Sequence, residues 1–350
     1  MMINRVKAVS LFILVGLLST YAQAQLAKLD SFRDNESSFQ YKGLSIVAPK
    51  TDVGNQPYCD LKESGASSVA IIPFGFSRQG ENTVRYNYAN WQWWGETLEG
   101  AERSIEYAHN EGLEVMLKPQ IYIPGSWPGA LDLSDADWAV WEASYRTFIL
   151  DFAQIAARQE VALFCIGTEL DISAIKRSVF WVDLIKDVRA IYDGQLTYAA
   201  NWDKFSQISF WSDLDHIGID AYFPLLDKVN PSVEELEKAW KKHLDEIERT
   251  QSEYNKPVLF TEYGYLSVDN CAFENWNLES KRRTMAANEQ AQARAFDALF
   301  KTFRTKVWWS GGFIWKWYID EGTKERRPET DYTPQAKSSF YTIKKWYLSK

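Results

Sequence analysis

The chain has 350 residues, with 39 Lys+Arg against 47 Asp+Glu, a formal net charge of -8, and is 46% hydrophobic and 25% charged. That balance excludes wholesale disorder, 18 Gly and 11 Pro exclude a collagen-like chain, and the acidic excess argues against nucleic acid as the main partner. The 16 Trp, 18 Tyr and 19 Phe are more aromatic surface than a core of this size easily hides, so some are expected to face a ligand.

Residues 1–24 read as a secretory signal. Arg5 and Lys7 precede an apolar run, AVSLFILVGLLS, and Ala22-Gln23-Ala24 supplies the small-x-small pattern of a cleavage site. The run is too short to span a bilayer of about 30 Å comfortably. The expected product is secreted or periplasmic, with no membrane contact after cleavage. Residues 25–40 form a polar lead-in. Cys59, Cys165 and Cys271 lack metal spacing, and a Cys59–Cys271 bridge is left open.

From residue 41 to 350 short apolar runs alternate with longer amphipathic segments. The runs are 43–48 (GLSIVA), 68–74 (SVAIIPF), 114–121 (EVMLKPQI), 162–167 (ALFCIG), 196–200 (LTYAA), 216–222 (HIGIDAY), 257–261 (PVLFT) and 312–317 (GFIWKW). Near-continuous apolarity is what strands covered on both faces require. Helical stretches are expected at 138–158, 180–192, 233–254 and 281–303. In the third, Val233, Leu236, Trp240, Leu244 and Ile247 mark one buried face, and Ser232 is a plausible N-cap. Eight strands alternating with helices predict an α/β fold, a single (β/α)8 TIM barrel. A doubly wound sheet would carry a Gly-rich phosphate loop after its first strand, and none follows Ala48.

In such a barrel the chemistry sits at the C-terminal strand ends. The fourth run opens into Gly167-Thr168-Glu169-Leu170 and the seventh into Thr261-Glu262-Tyr263-Gly264. Two carboxyls across one barrel mouth suit glycoside cleavage, one protonating the leaving oxygen and the other attacking or directing water. Aromatic surroundings would keep one of them protonated near neutral pH. With three His in the chain, a metal site is poorly supported, and no metal or cofactor is expected.

This pair resembles the clan A glycoside hydrolases, and residues 41–346 resemble glycoside hydrolase family 113, whose characterised activity is mainly endo-β-1,4-mannanase. The resemblance implies a retaining mechanism, with Glu169 as general acid/base and Glu262 as nucleophile. It also implies a Lys at the position of Lys118, a Tyr at that of Tyr222 bonding the nucleophile, and Trp315 as the floor under the sugar. Many clan members carry Asn before the acid/base, where this chain has Thr168, so the 2-hydroxyl contact must differ.

Further sugar contacts are expected from Lys118, Asn201 with Trp202, and Asp220. For Lys118 and Asp220 the competing reading is a buried ion pair. The stretch Trp91-Gln92-Trp93-Trp94 cannot all be core; of its indoles, Trp94 is the candidate substrate contact, with Trp127 a further one. The expected partner is β-mannan or a related glycan. Cellulose or xylan remains open as substrate, as does a non-catalytic glycan-binding role.

Overall fold

Side chains alternate between the lumen and the helical layer along each strand, which explains why the runs are apolar throughout. Leu163, Cys165, Met116, Ala199, Leu259 and Phe313 pack together in one buried cluster. Their neighbours Phe164, Ile166, Val115, Leu117, Val258 and Phe260 belong to the larger cluster under the helices. The structure, a computed structural model, describes residues 40–349 apart from Gln79, Ala89 and Asn90. The expected signal segment and most of the lead-in lie outside the described residues.

The strands are β1 (Tyr41–Val47), β2 (Ser68–Ile71), β3 (Phe74–Phe76), β4 (Glu114–Leu117), β5 (Gln120–Tyr122), β6 (Leu163–Thr168), β7 (Gln195–Asn201), β8 (Ile217–Asp220), β9 (Val258–Tyr263) and β10 (Trp309–Tyr318). Eight of them close a barrel in the order β1-β10-β9-β8-β7-β6-β4-β2, every pair parallel. The fold is therefore the TIM barrel expected.

Two of the runs are longer than the barrel strands they supply. Pro73 and Pro119 offer no N–H to the ladder, so β2 and β4 stop before them. Beyond the prolines the chain resumes as a separate parallel pair, β3 with β5. Phe313 fills the lumen so tightly that a Cβ on Gly43 would lie 2.3 Å from its ring. Truncating Phe313 to Ala would cost about 3–5 kcal/mol by the usual cavity penalty.

Helices cover the outside, and their starts follow from local capping. Thr97 caps Leu98–Asn110, Ser134 caps Asp135–Arg158, and Ser232 with Glu235 forms a capping box on Val233–Tyr254. The expected helix 281–303 begins later, at Glu289, because the Asn288 side chain accepts from Ala291 N and fixes the start there. Residues upstream instead form the short turns Asn275–Glu279 and Arg282–Thr284. Between β7 and β8 only two single 3-10 turns intervene. No helix among the described residues is long and apolar enough to cross a membrane. All three cysteines are free, Cys59 exposed and the other two buried, so the bridge left open by the sequence does not form.

Candidate active site

The lumen-facing register carries polar residues to the top of the barrel. Stepping by two from Met116, Gly218, Leu259, Ala199 and Phe313 leads to Lys118, Asp220, Thr261, Asn201 and Trp315. The apolar plug below leaves these groups few partners but each other. Lys118 Nζ donates to Asp220 Oδ1 at 3.2 Å and to Glu262 Oε2 at 2.9 Å, and Thr261 Oγ1 donates to Asp220 Oδ1 at 2.8 Å. Lys118 is 0% exposed and Asp220 1%.

Burial alone would pull the Lys118 ammonium toward neutrality, but the Asp220 and Glu262 carboxylates overcome it and hold its pKa above the usual lysine value. Burial pushes the Asp220 carboxyl upward, against the opposing pull of Lys118. Glu262 receives a second donor from the Tyr222 hydroxyl, 2.5 Å from Oε1. Burial and then the Glu262 charge push the Tyr222 pKa well up, so that hydroxyl stays a donor. Glu262 is thus held from both oxygens, with 12% of its side chain exposed.

Glu169 is presented differently. The β6–β7 register shifts between Cys165 and Thr168, and Glu169 then takes a left-handed conformation, φ +48°, with its N–H on Ala199 O at 2.8 Å. A non-glycine residue held there is strained, a recurrent feature of functional positions. Its carboxylate accepts from Trp127 Nε1 at 2.9 Å. Burial pushes its pKa up to about 7; the Trp127 bond pulls it down and the Glu262 charge raises it again. Thr168, in the position where clan members carry Asn, is buried, and its hydroxyl has no hydrogen-bond partner among the described residues.

The two carboxylates share a cavity of about 700 Å³. Asn201, Tyr222, Trp315 and Trp127 line it as expected, with Trp202 beside Asn201. Three expectations are corrected. Lys118 and Asp220 are sealed under the floor as an ion pair, so neither reaches a sugar. Trp94 is not among the lining residues; its backbone N–H donates to Lys50 O and its side chain packs against the core. The neighbouring Trp91 stacks on Tyr88, and Trp93 lies under Lys50.

Sequence reasoning missed Asn275, Trp276, Glu279 and Tyr332, which also line the cavity. Trp276 stacks on Trp202 with ring centroids 5.6 Å apart and planes 15° from parallel. The lining includes four carboxylates, Glu169, Asp203, Glu262 and Glu279, and no Lys, Arg or His among the described residues. No group of three or more His, Cys, Asp or Glu among the described residues could hold a metal ion.

The sequence model of Glycoside Hydrolase Family 113 matches residues 50–337. Among solved structures, the chain is similar to a GH113 β-1,4-mannanase at 24% identity and a TM-score of 0.75, covering 89% of this chain and 100% of that one. The GH113 β-mannanase of Alicyclobacillus acidocaldarius, in complex with ManMIm, gives 23% identity and a TM-score of 0.76 over 90% of this chain and 98% of that one. A Faecalibacterium prausnitzii β-glucuronidase gives 16% identity and a TM-score of 0.58, over 89% of this chain and 49% of that one. At these identities the likeness is one of fold. No curated protein matches the sequence significantly.

Proposed function

Because the chain belongs to glycoside hydrolase family 113, we propose that it is a retaining hydrolase of β-1,4-mannosidic bonds, acting by double displacement with Glu169 as general acid/base and Glu262 as nucleophile. The observation that carries the assignment of roles is the unequal environment of the two carboxylates. Glu262 is held in place by an ammonium on one oxygen and a phenolic hydroxyl on the other. Glu169, with its pKa pushed up to about 7, keeps a proton available for the leaving oxygen near neutral pH.

In the first step Glu262 attacks the anomeric carbon while Glu169 protonates the departing glycosidic oxygen. In the second, Glu169 takes a proton from water, which displaces Glu262 from the sugar. Trp315, Trp202 and Trp276 offer apolar faces for the C–H surfaces of pyranose rings, and Asn201 offers an amide for hydroxyls. The substrate choice leans on the GH113 β-mannanases of like fold. Cellulose and xylan are the competing substrates on the same barrel. Residues 1–24 fit an export signal, and we place the enzyme outside the cytoplasm; N-terminal sequencing of the mature protein beginning elsewhere than Gln25 would count against that cleavage.

The test has four parts. New reducing ends are measured on mannan, cellulose and xylan; release from the others but not from mannan removes the mannanase assignment. The anomer first formed is read by proton NMR, and inversion removes the double displacement. A 2-deoxy-2-fluoro glycoside should leave a covalent adduct whose peptide maps to Glu262. Glu262→Ala should abolish turnover by orders of magnitude, whereas a purely glycan-binding protein would have no turnover to lose.

A further inference from the structure

Three cations converge on one carboxylate just outside the cavity. Arg282 Nη2 lies 2.9 Å from Glu325 Oε2, Arg283 Nη2 3.6 Å from the same oxygen, and Lys316 Nζ 4.0 Å from Oε1. Two of these cations are shielded from solvent, Arg282 with 4% and Lys316 with 10% of the side chain exposed. Neither is in the lining, but each is joined to a wall of it. Lys316 directly follows Trp315, and its ammonium lies 5.8 Å from the centre of that indole. Arg282 closes the segment that begins at Asn275 and supplies Asn275, Trp276 and Glu279 to the cavity lining.

That segment has other ties: Leu278 packs against the core, and Arg327 Nη1 donates to Arg283 O. Asn275 Nδ2 reaches Gly264 O at 3.3 Å, and Val268 bridges to Ala287 downstream. Trp276 is 44% exposed and rests on Trp202, itself packed against Phe223 and His243. The Asp331 and Glu279 charges also act on Arg282, but Glu325 is its one direct ion-pair partner among the described residues, and a buried guanidinium that loses its direct partner is left poorly compensated. Arg282 Nη1 already lacks a hydrogen-bond partner. Without Glu325 the cheapest relief is for Arg282 to swing toward solvent, carrying the segment with it.

We propose that Glu325 is a positioning residue that latches the segment from Asn275 to Arg282 against the barrel, and that the latched Trp276, stacked on Trp202, is a sugar-binding subsite remote from the bond being cleaved. The subsite rests on the glycan-hydrolase reading; the latch does not. Glu325 touches no substrate, so its removal weakens binding of glycans long enough to reach Trp276 and leaves the chemical step alone.

The experiment compares the wild type with Glu325→Ala, and with Glu325→Gln as the milder variant that keeps a hydrogen-bond acceptor for Arg282. Hydrogen exchange read by mass spectrometry reports peptides covering residues 275–284. Steady-state kinetics use β-1,4-mannooligosaccharides of increasing length. The expected result is faster exchange confined to those peptides. With it, KM rises about tenfold for the longer oligosaccharides, kcat stays within about twofold, the shortest cleaved substrate is unaffected, and Glu325→Gln is intermediate. Trp276→Ala should reproduce the KM change without the exchange change. Unaltered exchange overturns the latch. Equal losses on short and long substrates overturn the subsite. Should the wild type cleave no glycan, the hydrolase reading and the subsite fail together, while the exchange data still decide the latch.

Discussion

The ammonium of Lys118 lies 2.9 Å from Glu262 and 3.2 Å from Asp220, beneath the floor of the cavity rather than within it. The charge balancing Glu262, the proposed nucleophile, therefore belongs to the barrel core and is present before any substrate arrives. Lys118→Met would leave two carboxylates facing each other without a cation. It should destabilise the fold by about 3–5 kcal/mol, as breaking buried ion pairs does. Denaturant unfolding measures this, and unchanged stability would show that the pair is dispensable.

Tyr222 makes the other bond to Glu262 and reaches the cavity itself. Tyr222→Phe keeps the ring and removes one donor to an anion. A charge-assisted bond of about 1.5–3 kcal/mol corresponds to roughly 10–160-fold in rate. The loss should fall on kcat, with the thermal midpoint nearly unchanged. A loss confined to KM would place Tyr222 in binding rather than orientation.

As the proposed general acid, Glu169 should set the alkaline side of the activity profile. With a pKa of about 7 it loses its proton above neutrality, so kcat/KM should fall there. The Trp127 N–H favours the ionised form, and Trp127→Phe removes it; the alkaline limb should then move to higher pH. Glu169→Ala should abolish that limb, with exogenous azide restoring turnover of substrates bearing a good leaving group. A limb that stays in place in both variants would assign it to another group.

His216 gives a stability prediction away from the chemistry. Burial lowers its pKa from 6.5 to about 4, and its Nε2 lies 2.8 Å from Gln195 Oε1 under the barrel. The folded pKa lies below the unfolded one, so the unfolded chain binds the proton first. Stability is fully present above pH 6.5 and drains as pH falls toward about 4. His216→Gln should flatten that part of the stability-against-pH curve, as measured by thermal unfolding in matched buffers.

The barrel was legible because double-sided burial writes a strand as an unbroken apolar run, and eight such runs had room for only one arrangement. The catalytic candidates were legible for the same reason, since Glu169 and Glu262 interrupt that apolarity where the strands end. Depth was not. Lys118 and Asp220 carry the same strand-end signature as cavity residues, and only the packing of Met116, Leu259 and Phe313 below shows that they stop at the floor. Trp276, Asn275, Glu279 and Tyr332 lie in irregular segments with no periodicity to read. Their one local signal was that Asn288 can cap a helix, which would have moved the start of the expected helix from 281 to 289 and freed the preceding stretch to reach the mouth. The Trp91–Trp94 cluster misled because composition alone cannot separate an indole that packs from one that binds.

Four carboxylates and no Lys, Arg or His line the cavity among the described residues, while the cations that pair with them, Lys118 on Glu262 and Lys204 on Asp203, lie outside that lining, and this has a consequence for selectivity. A uronic acid entering this mouth would meet like charge in a confined, weakly screened space and gain no compensating contact. The β-glucuronidases share the barrel, but on the proposed reading the walls here favour neutral sugars, and polymers decorated with glucuronate should be trimmed only along their neutral stretches.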